Sequence, residues 1–97
     1  MQESAMNFKM KNIKQCAERE MIRMTAVFET LKKKDSAGAK HFYEFASNYF
    51  KDGLYFFKKK QHIEAFEAFI IAWAYIDCGL KIKFFQVPKE QKEWFTV

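Results

Sequence analysis

The residue types that most often carry chemistry are few in this chain and widely spaced. The two histidines, His41 and His62, have no Cys, Asp or second His at the four-residue spacing of a helical metal site. The serines lack the surroundings of a nucleophile, and there is no glycine-rich loop that could hold a phosphate. The sequence therefore predicts no catalytic residue, no metal ligand and no cofactor, and we expect a protein that is not an enzyme.

Two acids, Asp52 and Asp77, lie within apolar helical stretches. A carboxylate in such a position needs a hydrogen-bond partner or water. If the second and third predicted helices pair as a hairpin, Asp77 falls near Tyr43 or His41. The candidate polar groove is therefore formed by Asp77, Asp52, Tyr43 and Tyr49. The alternative is that Asp77 makes only a structural hydrogen bond.

Lysines carry most of the positive charge, and three clusters of them stand out, at residues 32–34, 58–60 and 81–83. The net charge is +5, and only two of the basic residues are arginines. Each cluster follows a predicted helix, where cations offset the helix dipole by about 0.3–1 kcal/mol. The alternative is an anion-binding pole, because the first and third helices of a three-helix bundle end on the same side. Its residues are Lys32, Lys33, Lys34, Lys81 and Lys83.

The most apolar stretch, residues 64–79, sets the fold class. Its large apolar residues recur at steps of three and four, which is typical of a helix. Its other side is apolar as well, and a helix of this kind is usually surrounded by partners. The residues of the first stripe are Phe66, Phe69, Ile70, Trp73, Ile76 and Leu80.

Similar spacing predicts two further helices. We expect helices at about residues 7–33, 37–59 and 62–82, with Asp35 or Ser36 capping the second. Gly53 lies on the apolar stripe of the second helix and is predicted to contact the third. Gly79 and Pro88 are predicted to bracket the end of the third helix.

The tail, residues 84–97, holds five large apolar residues that would be costly to leave in water. We expect it to pack on its own helices, with a short helical turn at residues 89–95, or on another subunit. The whole chain is predicted to be one all-α domain, 1–97. Its architecture would be an up-and-down antiparallel three-helix bundle with the C-terminal tail packed on it.

The cysteines and the hydropathy pattern predict the setting of the protein. Cys16 and Cys78 are expected to be small apolar core or boundary residues, because two cysteines make no disulfide framework. The longest apolar run, residues 68–76, is too short to span a membrane. We expect a soluble cytoplasmic protein without a membrane partner.

The second and third helices resemble a single tetratricopeptide hairpin. Small and aromatic residues stand at the matching positions: Tyr49, Gly53, Phe56, Ala65, Phe69 and Ala72. Asp52 and Asp77 depart from that motif, and one repeat cannot bury both of its faces. The likeness therefore implies a close helix pair and not a solenoid.

A longer match covers about residues 8–85, which resemble the archaeal family called domain of unknown function 357. Tyr49, Asp52, Ala65, Asp77 and Gly79 stand in register with the family pattern. Gln61-His62 replaces its Gly-Asp turn, and Trp73 stands one turn earlier than the family tryptophan. The resemblance implies a small archaeal three-helix bundle and no activity.

These observations favour a non-enzymatic protein-interaction or self-association module. The abundant aromatic residues, the methionines of the first helix and the apolar tail support this hypothesis, since Met-rich surfaces adapt to partners. The alternative is weak binding of nucleic acid or another anionic partner through the lysine-rich pole. The expected partner is a protein or a second copy of the chain.

Overall fold

The computed structural model describes residues 12–95, and most of them are helical. The all-α class is therefore confirmed. Two short strands, which were not predicted, form a small antiparallel ribbon. The elements are α1 (Ile13–Thr30), β1 (Lys32–Lys33), α2 (Ala37–Lys58), α3 (His62–Lys81), β2 (Phe85–Gln86) and α4 (Lys89–Lys92). None of the described helices is long and apolar enough to cross a membrane.

Helix α1 ends earlier than predicted. Its N-cap is Asn12, whose side chain accepts a hydrogen bond of 2.7 Å from the backbone N–H of Lys14; predicted residues 7–11 lie outside the described part of the chain. At the other end, Leu31 is already extended, with ψ at 137°. Lys32 and Lys33 then pair with Gln86 and Phe85 of β2. The prediction of a helix through residue 33 was wrong because this pairing satisfies the backbone groups instead.

The ends of α2 and α3 are built alike. Ser36 caps the start of α2, where its hydroxyl oxygen accepts from the N–H of Ala39. Lys60 and Lys83 follow α2 and α3 in the left-handed region, with φ of 63° and 67°. In both cases the residues after the helix donate back to its last turn, which is a Schellman motif.

Helix α3 lies at the centre and packs along both α2 and α1, whereas α1 and α2 touch little. Near the start of α3, Ala65 and Phe69 pack with Ala17 of α1. Near its end, Ile76 packs with Met24 and the following turn of α1. The order of these contacts shows that α1 and α3 run in the same direction.

Each glycine of the chain lies against a phenyl ring. A Cβ at Gly53 would lie 2.3 Å from the ring of Phe69, which confirms the predicted contact between α2 and α3. Gly79 and Pro88 stand on either side of the end of α3 at Lys81, as predicted, and the ring of Phe85 fits against Gly79. The left-handed position after the helix is taken by Lys83.

The described part of the tail packs on its own helices, which is the first of the two predicted placements. Phe85, Val87 and Phe95 are buried, and the Phe95 ring lies 4.5 Å from that of Trp73. Gln91 donates to the carbonyl of Ala26, which ties α4 to α1. The expected helical turn is present as α4, while residues 96–97 lie outside the described chain.

Candidate functional site

The predicted polar groove is not assembled. Tyr49 and Asp52 line one depression between α2 and α3, whereas Asp77 lines a different cleft, beside α1 and the tail. Tyr43 packs its ring against those of Phe28 and Phe85. The placement of Asp77 near Tyr43 or His41 was wrong, because Asp77 lines a cleft with Arg23 of α1 and Trp94 of the tail.

Asp77 and Lys81 form an ion pair one turn apart on α3. Lys81 Nζ lies 3.0 Å from Asp77 Oδ2. Such a pair on a helix surface stabilises it by about 0.2–0.5 kcal/mol. This contact supports the alternative prediction, in which Asp77 makes a structural hydrogen bond, and Lys81 is its partner.

Sequence reasoning missed Glu20, the most deeply buried acid of the described chain. Its side chain accepts a hydrogen bond of 2.7 Å from Trp73 Nε1 and one of 2.9 Å from Arg19 Nε. The residue is 5% exposed. Its spacing was a usable signal, because Glu20 stands three residues after Ala17 and four before Met24, on the apolar stripe of α1.

The cleft beside these acids holds about 370 Å³ and is lined by α1, α3 and the tail. Trp73 and Trp94 contribute aromatic walls, and the Arg23 guanidinium lies 5.7 Å from the centre of the Trp94 ring. The carboxylates of Glu20 and Asp77 and the guanidinium of Arg23 line the same cleft, so their charges offset one another. The contact of Arg23 with Trp94 joins the tail to α1.

The lysine-rich pole is assembled in part. Lys32, Lys33, Lys34 and Lys83 line a single pit of about 230 Å³, together with Phe84 and Gln86. Lys81 does not line it. Within residues 12–95, the four lysines of this lysine pit make no ion pair. The helix-dipole interpretation fails for residues 32–34, since α1 has no basic residue in its last turn.

A row of aromatic rings continues from the lysine pit across α2 and α3. Phe84, which lines the pit, lies 5.4 Å from Phe42. Phe42 lies 6.0 Å from Tyr75, and the Tyr75 ring is 5.3 Å from Phe45 and 5.9 Å from Tyr49. Phe45 is 48% exposed. We call these five rings the aromatic row.

Helix α3 also carries apolar residues that the described chain leaves partly exposed. Ile63 is 58% exposed and Ile70 is 42% exposed. Ile70, Ile71 and the half-buried Phe66 border a depression of about 410 Å³ together with Glu67, and Ile63 lies about one turn before Phe66. This exposed side of α3 consists of Ile63, Phe66, Ile70 and Ile71.

The remaining candidate residues are separate. Among residues 12–95, no group of three or more His, Cys, Asp or Glu side chains could hold a metal ion. His41 is exposed and the His62 ring packs on Phe57. Cys16 is half-buried, as expected for a boundary residue, but Cys78 is exposed, so its predicted burial was wrong.

Comparison with known proteins confirms the resemblance found in the sequence. A family model described as "Protein of unknown function (DUF357)" matches residues 11–85. Among solved structures, the fold is similar to a crystal structure of a DUF357 protein from Archaeoglobus fulgidus, with a TM-score of 0.69 and 19% identity. The match covers 80% of this chain and 96% of that one, and at this identity it shows the fold alone. No protein of curated function matches the sequence.

Proposed function

The chain belongs to the DUF357 family, and we propose that it is a non-enzymatic interaction module that self-associates through the exposed side of α3. In this proposal the three long helices form an up-and-down antiparallel bundle that acts as a rigid scaffold. The common direction of α1 and α3, with α2 packed along α3, supports that arrangement.

The observation that carries the proposal is the apolar surface of α3. Ile63 stands seven residues before Ile70 and eight before Ile71, so the three lie on one side of the helix. Burying one such side chain is worth about 1.5–3 kcal/mol. Single exposed apolar residues are ordinary, but a contiguous group that borders a depression is typical of an interaction site.

A second copy of the chain is the partner that the charges of α3 fit. Glu64 and Glu67 lie near the start of α3 and Lys81 lies in its last turn. We propose an antiparallel pairing in which Ile70 of each copy meets Ile71 of the other at the two-fold axis. Ile63 then lies near Cys78 of the second copy. In the same pairing Glu64 lies about one helical turn from Lys81 of the second copy. That pairing is self-complementary, as the interface of a two-fold dimer must be.

The size of the surface sets the strength of the contact. The exposed side spans residues 63–71, about 13 Å of helix at 1.5 Å per residue. A stable interface buries about 800 Å² on each partner, which needs more surface than this stretch supplies. We therefore propose a reversible dimer rather than a permanent one.

The proposal assigns no catalytic role to the chain. The two carboxylates with the most defined surroundings are engaged in structural contacts, Glu20 with Trp73 and Asp77 with Lys81. A general acid or base must come within hydrogen-bond distance of its substrate. A carboxylate that is already hydrogen-bonded to another side chain is less available for that contact.

Sedimentation velocity over a range of protein concentrations tests the proposal. Ile70→Lys places a charge in the apolar surface and should shift the protein to monomer. Ile22→Lys is the matched control, because Ile22 is 62% exposed but lies on α1 away from this surface. A wild-type protein that stays monomeric, or equal effects of the two variants, would show that the proposal is wrong.

A second candidate function is the binding of an anionic partner at the lysine-rich pole. The observation that favours it is the gathering of Lys32, Lys33, Lys34 and Lys83 around one pit. Lys81 belongs less directly to this candidate, because it does not line the pit.

A further inference from the structure

We propose that the lysine pit and the aromatic row form one binding surface for a short stretch of single-stranded nucleic acid. Phosphates would lie at the lysines and a base would stack on Phe45, the exposed ring of the row. This inference rests on the second candidate function and is independent of self-association through α3.

The lysine pit supplies the charge for the backbone. Lys32 and Lys33 come from β1, while Lys83 follows α3 and reaches the same pit from the other side. Their charges are not offset by ion pairs within the described residues. Binding a phosphate chain there would release condensed counterions, which drives association of nucleic acids with basic surfaces.

The aromatic row leads from that charge to one exposed ring, Phe45, while its other four rings are half-buried against the core. Phe84 belongs to both features, since it lines the pit and lies 5.4 Å from Phe42. The row then leads through Tyr75 to Phe45, the most exposed of its rings. Proteins that bind single strands combine these two components, a basic groove and aromatic side chains on which bases stack.

The same features disfavour a duplex and a specific base sequence. In a duplex the flat faces of the bases are covered by their neighbours, so rings such as Phe45 have nothing to stack on. No arginine lines the lysine pit, and arginine is the residue that most often reads base edges in pairs of hydrogen bonds. Lysine acts on phosphates as a point charge and carries little sequence information.

The far end of the row limits the length of the bound strand. Tyr49, its last ring, borders the depression that also holds Asp52, Glu64 and Glu67. These acids would repel a phosphate chain that continued in that direction. The surface therefore fits a few nucleotides, which run from the lysine pit to about Phe45.

The test is fluorescence anisotropy of a labelled oligothymidylate, titrated with the full chain at about 50 mM salt and again at rising salt. Changing Lys32, Lys33 and Lys34 together to Gln should weaken binding about tenfold or more. The control changes Lys58, Lys59 and Lys60 to Gln, which removes the same charge from the opposite end of α2. We expect that control to lose about twofold at most, since distant exposed charges are screened.

A second pair of variants tests the stacking component. Phe45→Ala should weaken binding about tenfold, the loss typical of one stacked base. Tyr55→Ala is the control, because Tyr55 is also on α2 and is 57% exposed but lies outside the row. Circular dichroism of each variant checks that the helices are retained.

Five results would overturn the inference. Four of them are no binding by the wild-type chain at about 50 mM salt, equal losses in the two lysine variants, unchanged affinity of Phe45→Ala, and a preference for duplex DNA. The fifth comes from heparin. Heparin, a polyanion without bases, distinguishes charge from stacking. If heparin binds as tightly as the oligonucleotide, the surface attracts polyanions in general and the assignment to nucleic acid is wrong.

Discussion

At the scale of single residues, the fold depends on phenyl rings that lie against glycines. Phe69 is fully buried and its ring fits against Gly53, which lets α2 and α3 approach closely. Phe85 does the same at Gly79 and thereby fixes β2 on α3. The glycines lower helix propensity by about 1 kcal/mol each relative to Ala, and the close packing that they permit offsets this cost.

Gly53→Ala should lower the free energy of unfolding by about 1–2 kcal/mol. The added Cβ would meet the fully buried Phe69 ring, so the overpacking cost falls in the upper part of its usual range, about 2–3 kcal/mol, and the gain of about 1 kcal/mol in helix propensity is subtracted from it. Urea unfolding followed by circular dichroism measures the change.

Gly38→Ala is the comparison for this prediction. Its new Cβ would meet the tip of the Phe84 ring, which is only half-buried and can move. We expect a smaller loss there than at Gly53. A Gly53→Ala protein as stable as the wild type would contradict the packing account.

At the scale of the elements, the helix ends combine local signals with one distant contact. Helices α2 and α3 end in Schellman motifs in which a lysine takes the left-handed position usually held by glycine. Helix α1 instead ends where its chain turns into β1 and pairs with the tail. The same turn presents Lys32 and Lys33 beside Lys83, so the end of α1 also shapes the lysine pit.

Lys60→Gly should raise the free energy of unfolding by about 0.5–1 kcal/mol. The left-handed conformation costs a residue with a Cβ roughly 1–2 kcal/mol, and part of that gain is lost because glycine is freer in the unfolded chain. Thermal and urea unfolding both measure the effect.

Lys59→Gly is the matched control for this prediction. Lys59 has φ at −84°, where glycine has no advantage, so that variant should be no more stable than the wild type. A Lys60→Gly protein that is less stable than the wild type would mean that the Lys60 side chain contributes contacts of its own.

At the scale of the whole molecule, the features that depend on residues close together in the sequence could be predicted, and those that depend on distant segments could not. Helices α2 and α3 were predicted within one residue at each end, because their stripes and caps are local signals. The ribbon of β1 and β2 was not predicted, since it joins segments that are distant in sequence.

The candidate surfaces were also predicted only where they depend on residues close together in the sequence. The lysine clusters were visible, but the lysine pit depends on the early end of α1, and the aromatic row draws on α2, α3 and the tail together. The direction of Asp77 was missed because a pairing rule for helices is not accurate to one residue. Glu20 could have been found from its spacing on the apolar stripe of α1.

The molecule as a whole presents three long helices and a docked tail, with one side of α3 left partly exposed. The central claim is that two copies meet antiparallel along that side. Cys78 makes this claim testable, because it is exposed and lies seven residues beyond Ile71, on the same side of the helix.

Disulfide cross-linking of an Ile63→Cys variant is the most direct measurement. In the antiparallel arrangement the new thiol lies close to Cys78 of the second copy, so mild oxidation should give a covalent dimer that reductant reverses. Ile22→Cys, an equally accessible thiol on α1, should give much less dimer at the same protein concentration. Equal cross-linking of the two variants, or a monomer in both, would contradict the account.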